Sequence, residues 1–268
     1  MISRTGNILP DVLRLLLLMT FFFISGCEAD TEILLDSDEE SHYEGSLIPH
    51  LQPGIAMTFD DSYYNEWIEM LPIFEKYNAR ATFFISLRYP QYDSQCREKI
   101  LKLYNAGNEI GVHTVTHQHL SDYLRAHSLH DYYKTEIVPE IKFLNSLGIN
   151  PTSFSYPYGE QNAESNKYLS RYFNKVRCMY GNSDIKKVQK VIGASLIWSS
   201  DLRDYKQEME FALQDSCVWV LVEHRPVHKL NSEDRFTYAM LDSICRFVTE
   251  NNMRFYRLDE IDKAAIRE

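Results

Sequence analysis

The chain is short of basic charge. Lys and Arg number 28 against 38 Asp and Glu, a formal net charge of −10. That argues against a nucleic-acid partner, because neutralising phosphates takes a basic face. It also makes a strongly anionic substrate unnatural. No CxxC pair occurs among Cys27, Cys96, Cys178, Cys217 and Cys245, so a thiolate zinc site is not expected. Buried free thiols are the expected state of Cys178 and Cys217, which sit in apolar runs. No internal repeat is evident, and 268 residues less a leader and a tail suit one domain better than two. Nor does any apolar run comfortably reach the roughly 20 residues of a membrane-spanning helix. The longest, 15–24, is broken by Thr20.

That run has another layout. Arg4 and Arg14 precede it, and Ser25, Gly26 and Cys27 follow, the order of an export leader. Ile24-Ser25-Gly26-Cys27 resembles the lipobox of bacterial lipoproteins. The resemblance implies a leader over 1–26, a lipid-modified Cys27, and a protein exported to the cell envelope and anchored to a bilayer. Residues 27–50 carry Glu28, Asp30, Glu32, Asp36, Asp38, Glu39, Glu40 and Glu44. So acidic a stretch buries too little apolar surface to order itself, and a flexible tether is expected there. The domain proper is expected over 51–268.

Within it, short apolar runs alternate with helical patterns. Strands are expected at 55–59, 81–85, 109–113, 153–156, 175–179, 195–198, 217–222 and 254–258. Helices are expected through Trp67–Tyr77, up to Gly107, over 132–147, around 167–172 and over 236–248. Such alternation means parallel β/α units, as an open sheet or a barrel. In either, function collects at the C-terminal strand ends.

Five polar clusters fall at such ends. Asp60 and Asp61 close the first strand. Side chains alternate along a strand, so one carboxylate can ligate a metal while its neighbour faces the attacking water. A helix N-cap is the plainer alternative. His113 and His117 are four residues apart, which suits metal ligation from one side of a helical turn. His119 adds a nearby nitrogen, in a supporting or solvated place. Ser155-Tyr156-Pro157-Tyr158-Gly159 makes a rigid turn that can aim a backbone N–H at an oxyanion, or simply joins strand to helix. Residues 198–205 offer Trp198, Asp201, Asp204 and Tyr205. His224 ends the most apolar strand and suits a general acid, or a structural role.

In this order the clusters resemble the motifs of the polysaccharide deacetylase family, the NodB-homology carbohydrate esterases. Thr58-Phe59-Asp60-Asp61 is similar to its TFDDG motif, with Ser62 replacing Gly. His113 to His117 is similar to H-[ST]-x-x-H, Ser155 to Gly159 to R-x-P-Y-G, Trp198 to Tyr205 to D-x-x-D-W, and Leu221 to His224 to L-x-x-H. The resemblance implies an α/β fold, a distorted barrel of the (β/α)7 type. It implies one divalent metal, usually zinc, on Asp61, His113 and His117. Asp60 would be the general base and His224 the general acid. The Tyr158 N–H would serve the oxyanion, and Asp204, or else Asp201, would orient His224. Tyr158, Trp198 and Tyr205 would contact an acetylated glycan losing N- or O-acetyl groups. Ser155 stands where the family has the Arg that holds the base, and Tyr205 stands for Trp. The missing Arg leaves open a glycan-binding module of weak activity. Two His and one carboxylate also describe a non-haem iron site, but that site has no task for Asp60 or His224.

Overall fold

Alternation at period two organises the molecule. The computed structural model describes residues 45–88, 94–179, 181–231 and 233–264. Strands β1 (Gly54–Asp61), β2 (Thr82–Ile85), β3 (Glu109–Val112), β4 (Ser153–Ser155), β5 (Lys175–Arg177), β7 (Val191–Ile192) and β8 (Val218–Glu223) lie parallel. The sheet order is β6-β8-β1-β2-β3-β4-β5-β7. β6 (Asp184–Ile185) lies antiparallel on β8, and β9 (Arg254–Phe255) pairs with the start of β1. Three residues past β7, Ser195 bridges to Leu221 of β8. That bridge brings the two ends of the sheet together, so the expected seven-stranded barrel is found, nearly closed.

Side chains along each strand take turns between two cores. Ile55, Met57 and Phe59 of β1, Phe83 and Ile85 of β2, and Trp219 and Leu221 of β8 join one cluster with the buried faces of the helices. Ala56, Phe84, Val218, Val220 and Val222 join a second cluster with Val188, Ile192 and Leu258. The first is the layer between barrel and helices, and the second is the barrel interior. Helix α1 (Tyr64–Tyr77) shows the helical counterpart: Tyr64, Trp67, Met70 and Phe74 recur on its buried face, and Asn78 ends it in the left-handed conformation.

The remaining helices are α2 (Ser94–Asn105), α3 (Leu120–Leu124), α4 (Leu129–Tyr132), α5 (Val138–Asn145), α6 (Ala163–Leu169), α7 (Leu202–Gln214) and α8 (Tyr238–Glu250). One π turn (Tyr133–Ile137) joins α4 to α5, so the single helix expected over 132–147 is interrupted. α7 and the two-residue strands β6 and β7 were not expected, and the strand expected at 195–198 shrinks to the Ser195 bridge. Of the tether expected over 27–50, residues 45–50 are described, and they include residues packed on the barrel. Gly45, Ser46 and Ile48 hydrogen-bond to the 186–188 segment, and Ile48 is buried in the inner core. Cys27 and the leader lie outside the described residues. Among the described residues no helix is long and apolar enough to cross a membrane. Cys96, Cys178, Cys217 and Cys245 are all buried, with no disulfide between any two of them.

Candidate active site

The site forms where β1, β3, β4, β5 and β8 end. Asp60 continues the alternation of β1 and faces the barrel interior. Asp61 departs from it: its φ of +81° turns the backbone back at the strand end. The two carboxylates therefore do not diverge as strand alternation had suggested. Asp60 Oδ2 and Asp61 Oδ1 lie 3.9 and 3.7 Å from the same nitrogen, His113 Nε2. Ser62, where the family has Gly, donates its hydroxyl to the Asp61 and Ser86 carbonyls at 2.6 and 2.7 Å and ties this turn to the end of β2.

His113 and His117 sit on a loop, not on the helical turn their spacing suggested. Thr114 and His117 both have positive φ, +73° and +55°, an uncommon conformation that clusters at functional sites. It folds the segment back until the two imidazoles are 4.9 Å apart. His113 Nδ1 bonds the Ser155 carbonyl at 2.8 Å. Being held at a carbonyl makes Nδ1 the protonated nitrogen and leaves Nε2 a free lone pair. His117 Nε2 lies 3.1 Å from Asp61 Oδ1.

Burial lowers His113 to about 4, over the opposing pull of Asp60 and Asp61. Burial acts to raise Asp61, but the His117 hydrogen bond and the fields of His113, His224 and His117 outweigh it and bring the carboxyl to about 2. Both side chains are thus in their metal-binding protonation states at neutral pH.

These three residues fit a metal. Each offers one ligand atom, and the atoms lie within 4.8 Å of one another. Ligands about 2.0–2.2 Å from a tetrahedral ion stand roughly 3.3 Å apart, close to the 3.1 and 3.7 Å found here. Two imidazoles and one carboxylate leave open positions for water and substrate.

A buried arginine reaches Asp60 from the strand beside Ser155. Ser155 and Arg177 are register partners on β4 and β5. Arg177 is fully buried, and its Nη2 donates to both Asp60 Oδ2 and Ser155 Oγ. Asp60 Oδ1 is buried without a hydrogen-bond partner. One oxygen of the carboxylate is pinned and the other is free to take a proton. Sequence reasoning missed Arg177. The signal was the Lys175-Val176-Arg177 alternation in a strand buried throughout, which sends two cations into the barrel and demands carboxylates there.

The Ser155-to-Gly159 turn closes β4. Tyr158 has φ +58°. Its ring lies 4.7 Å from His117 and stacks on His119 at 3.7 Å, and it stays 46% exposed. His119 also ion-pairs with Glu160 at 3.1 Å. Gly159 could not carry a side chain, because a Cβ would lie 2.4 Å from that of Met179. His224 follows β8 on the exposed rim, with its carbonyl accepting Trp67 Nε1–H at 2.8 Å.

Two expectations for the 198–205 segment fail. Neither Asp204 nor Asp201 bonds or ion-pairs with His224. Asp201 is the N-cap of α7, accepting the Arg203 N–H at 2.9 Å and pairing with its guanidinium. Asp204 lies in the first helical turn, where a carboxylate suits the helix dipole. The field of His224 helps hold the Asp61 and Asp234 carboxyls below their ordinary range. Tyr205, expected against substrate, is fully buried, with its hydroxyl on Glu223 Oε1 at 2.7 Å and its ring 5.8 Å from Phe236. Helix α7, an element not expected from the sequence, begins at Leu202 and turns Tyr205 inward. Trp198 stays at the surface, 70% exposed.

The polysaccharide deacetylase family model matches residues 49–175. A peptidoglycan-N-acetylglucosamine deacetylase of Bacillus cereus is 30% identical over 118 residues, 42% of this chain and 38% of that protein. A chitin deacetylase of Arthroderma benhamiae is 31% identical over 110 residues, 39% of this chain and 27% of that protein. The chain therefore spans well under half of each. In fold it is similar to the Xyl-CE4 domain of a multidomain xylanase from the hindgut metagenome of Trinervitermes trinervoides. The TM-score there is 0.55 at 19% identity, over 79% of this chain and 90% of that one. These matches support the polysaccharide deacetylase family and its barrel fold.

Proposed function

We propose that this chain is a metal-dependent hydrolase that removes acetyl groups, N- or O-linked, from a glycan outside the cytoplasm. The observation that carries the proposal is the pairing of an Asp61–His113–His117 ligand set with a second carboxylate, Asp60, pinned at one oxygen by Arg177. Asp61, His113 and His117 would hold a divalent ion such as zinc, which would supply polarisation of the acyl oxygen and lower the pKa of a water from 15.7 towards about 7.

The residues of the chain do the rest. Asp60 Oδ1 accepts the proton of the attacking water, and Arg177, holding the other oxygen, keeps Oδ1 aimed. The Tyr158 N–H donates to the oxyanion as the carbonyl becomes tetrahedral. His224, exposed at the rim, protonates the leaving amine or alcohol. Trp198 and Tyr158 offer ring faces for the sugar. The binding-module alternative drew its force from the missing arginine, and Arg177 removes that motive.

The test is acetate release from acetylated chitin oligomers, peptidoglycan fragments and xylan, with and without chelator. Release that chelation stops, and that Asp60→Asn lowers by about 10²–10⁴-fold without loss of bound metal, is expected. Metal-loaded protein with no release from any of the three would overturn the hydrolase reading in favour of a binding module.

A further inference from the structure

The segment 113–117 leaves the barrel, because β3 stops at Val112 and pairs with β4 only through Phe154. Five consecutive amides thereby lose their ladder partners. Left unmet in a buried place, each would cost about 1–3 kcal/mol. Four of the five end on two residues of one helix. The His113 N–H meets both Glu140 oxygens, at 3.1 and 3.2 Å, and the Thr114 N–H also bonds Glu140. The Val115 N–H bonds the Glu136 carbonyl at 3.0 Å. The Thr116 N–H and hydroxyl both donate to Glu136 Oε2, at 2.8 Å each. The fifth, of His117, bonds Thr114 Oγ1 at 3.1 Å.

The helix is shaped for this. Glu136 and Glu140 are four residues apart, on one face, and both are buried. Pro139 has no N–H to continue the α-helical ladder. The π turn falls just before it, with the Val138 N–H reaching back five residues to the Tyr133 carbonyl. π turns of this kind frequently mark functional sites.

We infer that Glu136 and Glu140 are positioning residues: a two-carboxylate clamp that holds the strained His113-to-His117 loop in its metal-binding geometry. The inference rests on the metal-site reading above and goes beyond it, since neither glutamate touches a ligand atom. Both act on the backbone that presents His113 and His117.

The test uses metal-stripped full-length protein. Zinc affinity is measured by competition with a chromophoric chelator, the visible spectrum is recorded with cobalt(II), and the melting temperature is followed without metal. Glu136→Ala and Glu140→Ala are expected to weaken zinc binding by about 10–100-fold, the usual effect of removing groups that orient ligands, and to change the cobalt spectrum. Glu136→Gln keeps an acceptor for Thr116 and is expected to restore most of the affinity. Leu144→Ala loosens the same helix from its core side and is expected to lower the melting temperature while leaving zinc affinity unchanged. Should Glu140→Ala fail to fold, the Glu136 pair of variants carries the test alone. Alanine variants that bind zinc like the parent with an unchanged cobalt spectrum, or Glu136→Gln falling as far as Glu136→Ala, would overturn the clamp. A parent protein that binds no metal would overturn the underlying reading instead.

Discussion

At the scale of residues, the decisive contact is between Asp60 and Arg177. The proposed general base needs a fixed direction, and the guanidinium supplies it by holding one carboxylate oxygen. Arg177 reaches Asp60 from β5, the strand next to Ser155 on β4, and the Ser155 hydroxyl shares the same Nη2. Arg177→Met should therefore lower turnover by about 10²-fold with little change in bound metal. The exchange Ser155→Arg with Arg177→Ser should recover part of the loss, since either strand can present the charge. Steady-state rates and metal content of the three proteins check this. A full-rate Arg177→Met would remove Arg177 from the mechanism.

At the scale of elements, α7 and β8 explain why two aromatic expectations for 198–205 separated. The N-cap at Asp201 starts the helix three residues after Trp198, so Trp198 stays outside while Tyr205 falls on the buried side against Glu223. Burial, opposed by the Tyr205 hydrogen bond, raises the Glu223 carboxyl from the ordinary range to about 8. The native state keeps this proton up to about pH 8, while the unfolded chain releases it near the ordinary carboxyl value of 4.5. The folded form thus binds more protons between those limits, and this contribution to stability falls as pH rises from about 4.5 to 8. Glu223→Gln should flatten that part of the melting-temperature profile, raising the melting point near pH 8 more than near pH 5. Calorimetry across the range decides it, and an unchanged slope would mean that Glu223 is ionised in the fold.

At the scale of the whole molecule, the barrel interior is divided. The β8 side is lined by valines, while β1 to β5 turn Asp60, Thr82, Glu109, Ser153, Ser155, Lys175 and Arg177 inward. Arg177 serves the upper end, where the candidate site lies. The lower end is latched by the 3₁₀ helix (Leu258–Ala264). Its Asp262 pairs with Lys175, the Asp259 N–H bonds Glu109 at 3.1 Å, and the Leu258 N–H bonds the Thr82 hydroxyl at 3.0 Å. Breaking a buried pair strands one charge, at about 3–5 kcal/mol. Lys175→Met should therefore destabilise the fold sharply. Adding Asp262→Leu should recover much of the loss, with turnover unaffected at both steps because the latch lies at the opposite end from the site. Denaturant unfolding beside rate measurements checks both halves.

The sequence by itself determined the β/α alternation and the strand ends that carry polar groups, which follow from local periodicity and need no knowledge of what lies across the barrel. The Asp61, His113 and His117 set was implied by the resemblance of its motifs, and the fold brings those three side chains together. Tertiary structure alone decided the partners. Arg177 stands 117 positions from Asp60, and only the β4–β5 register brings it there. The positive φ of Asp61, Thr114 and His117 turns a strand end and a loop into one convergent site. Asp204 and Tyr205 were misjudged for the same reason. A helix start at Asp201 reassigns every side chain after it, and local pattern could not separate that start from a loop of acids and aromatics.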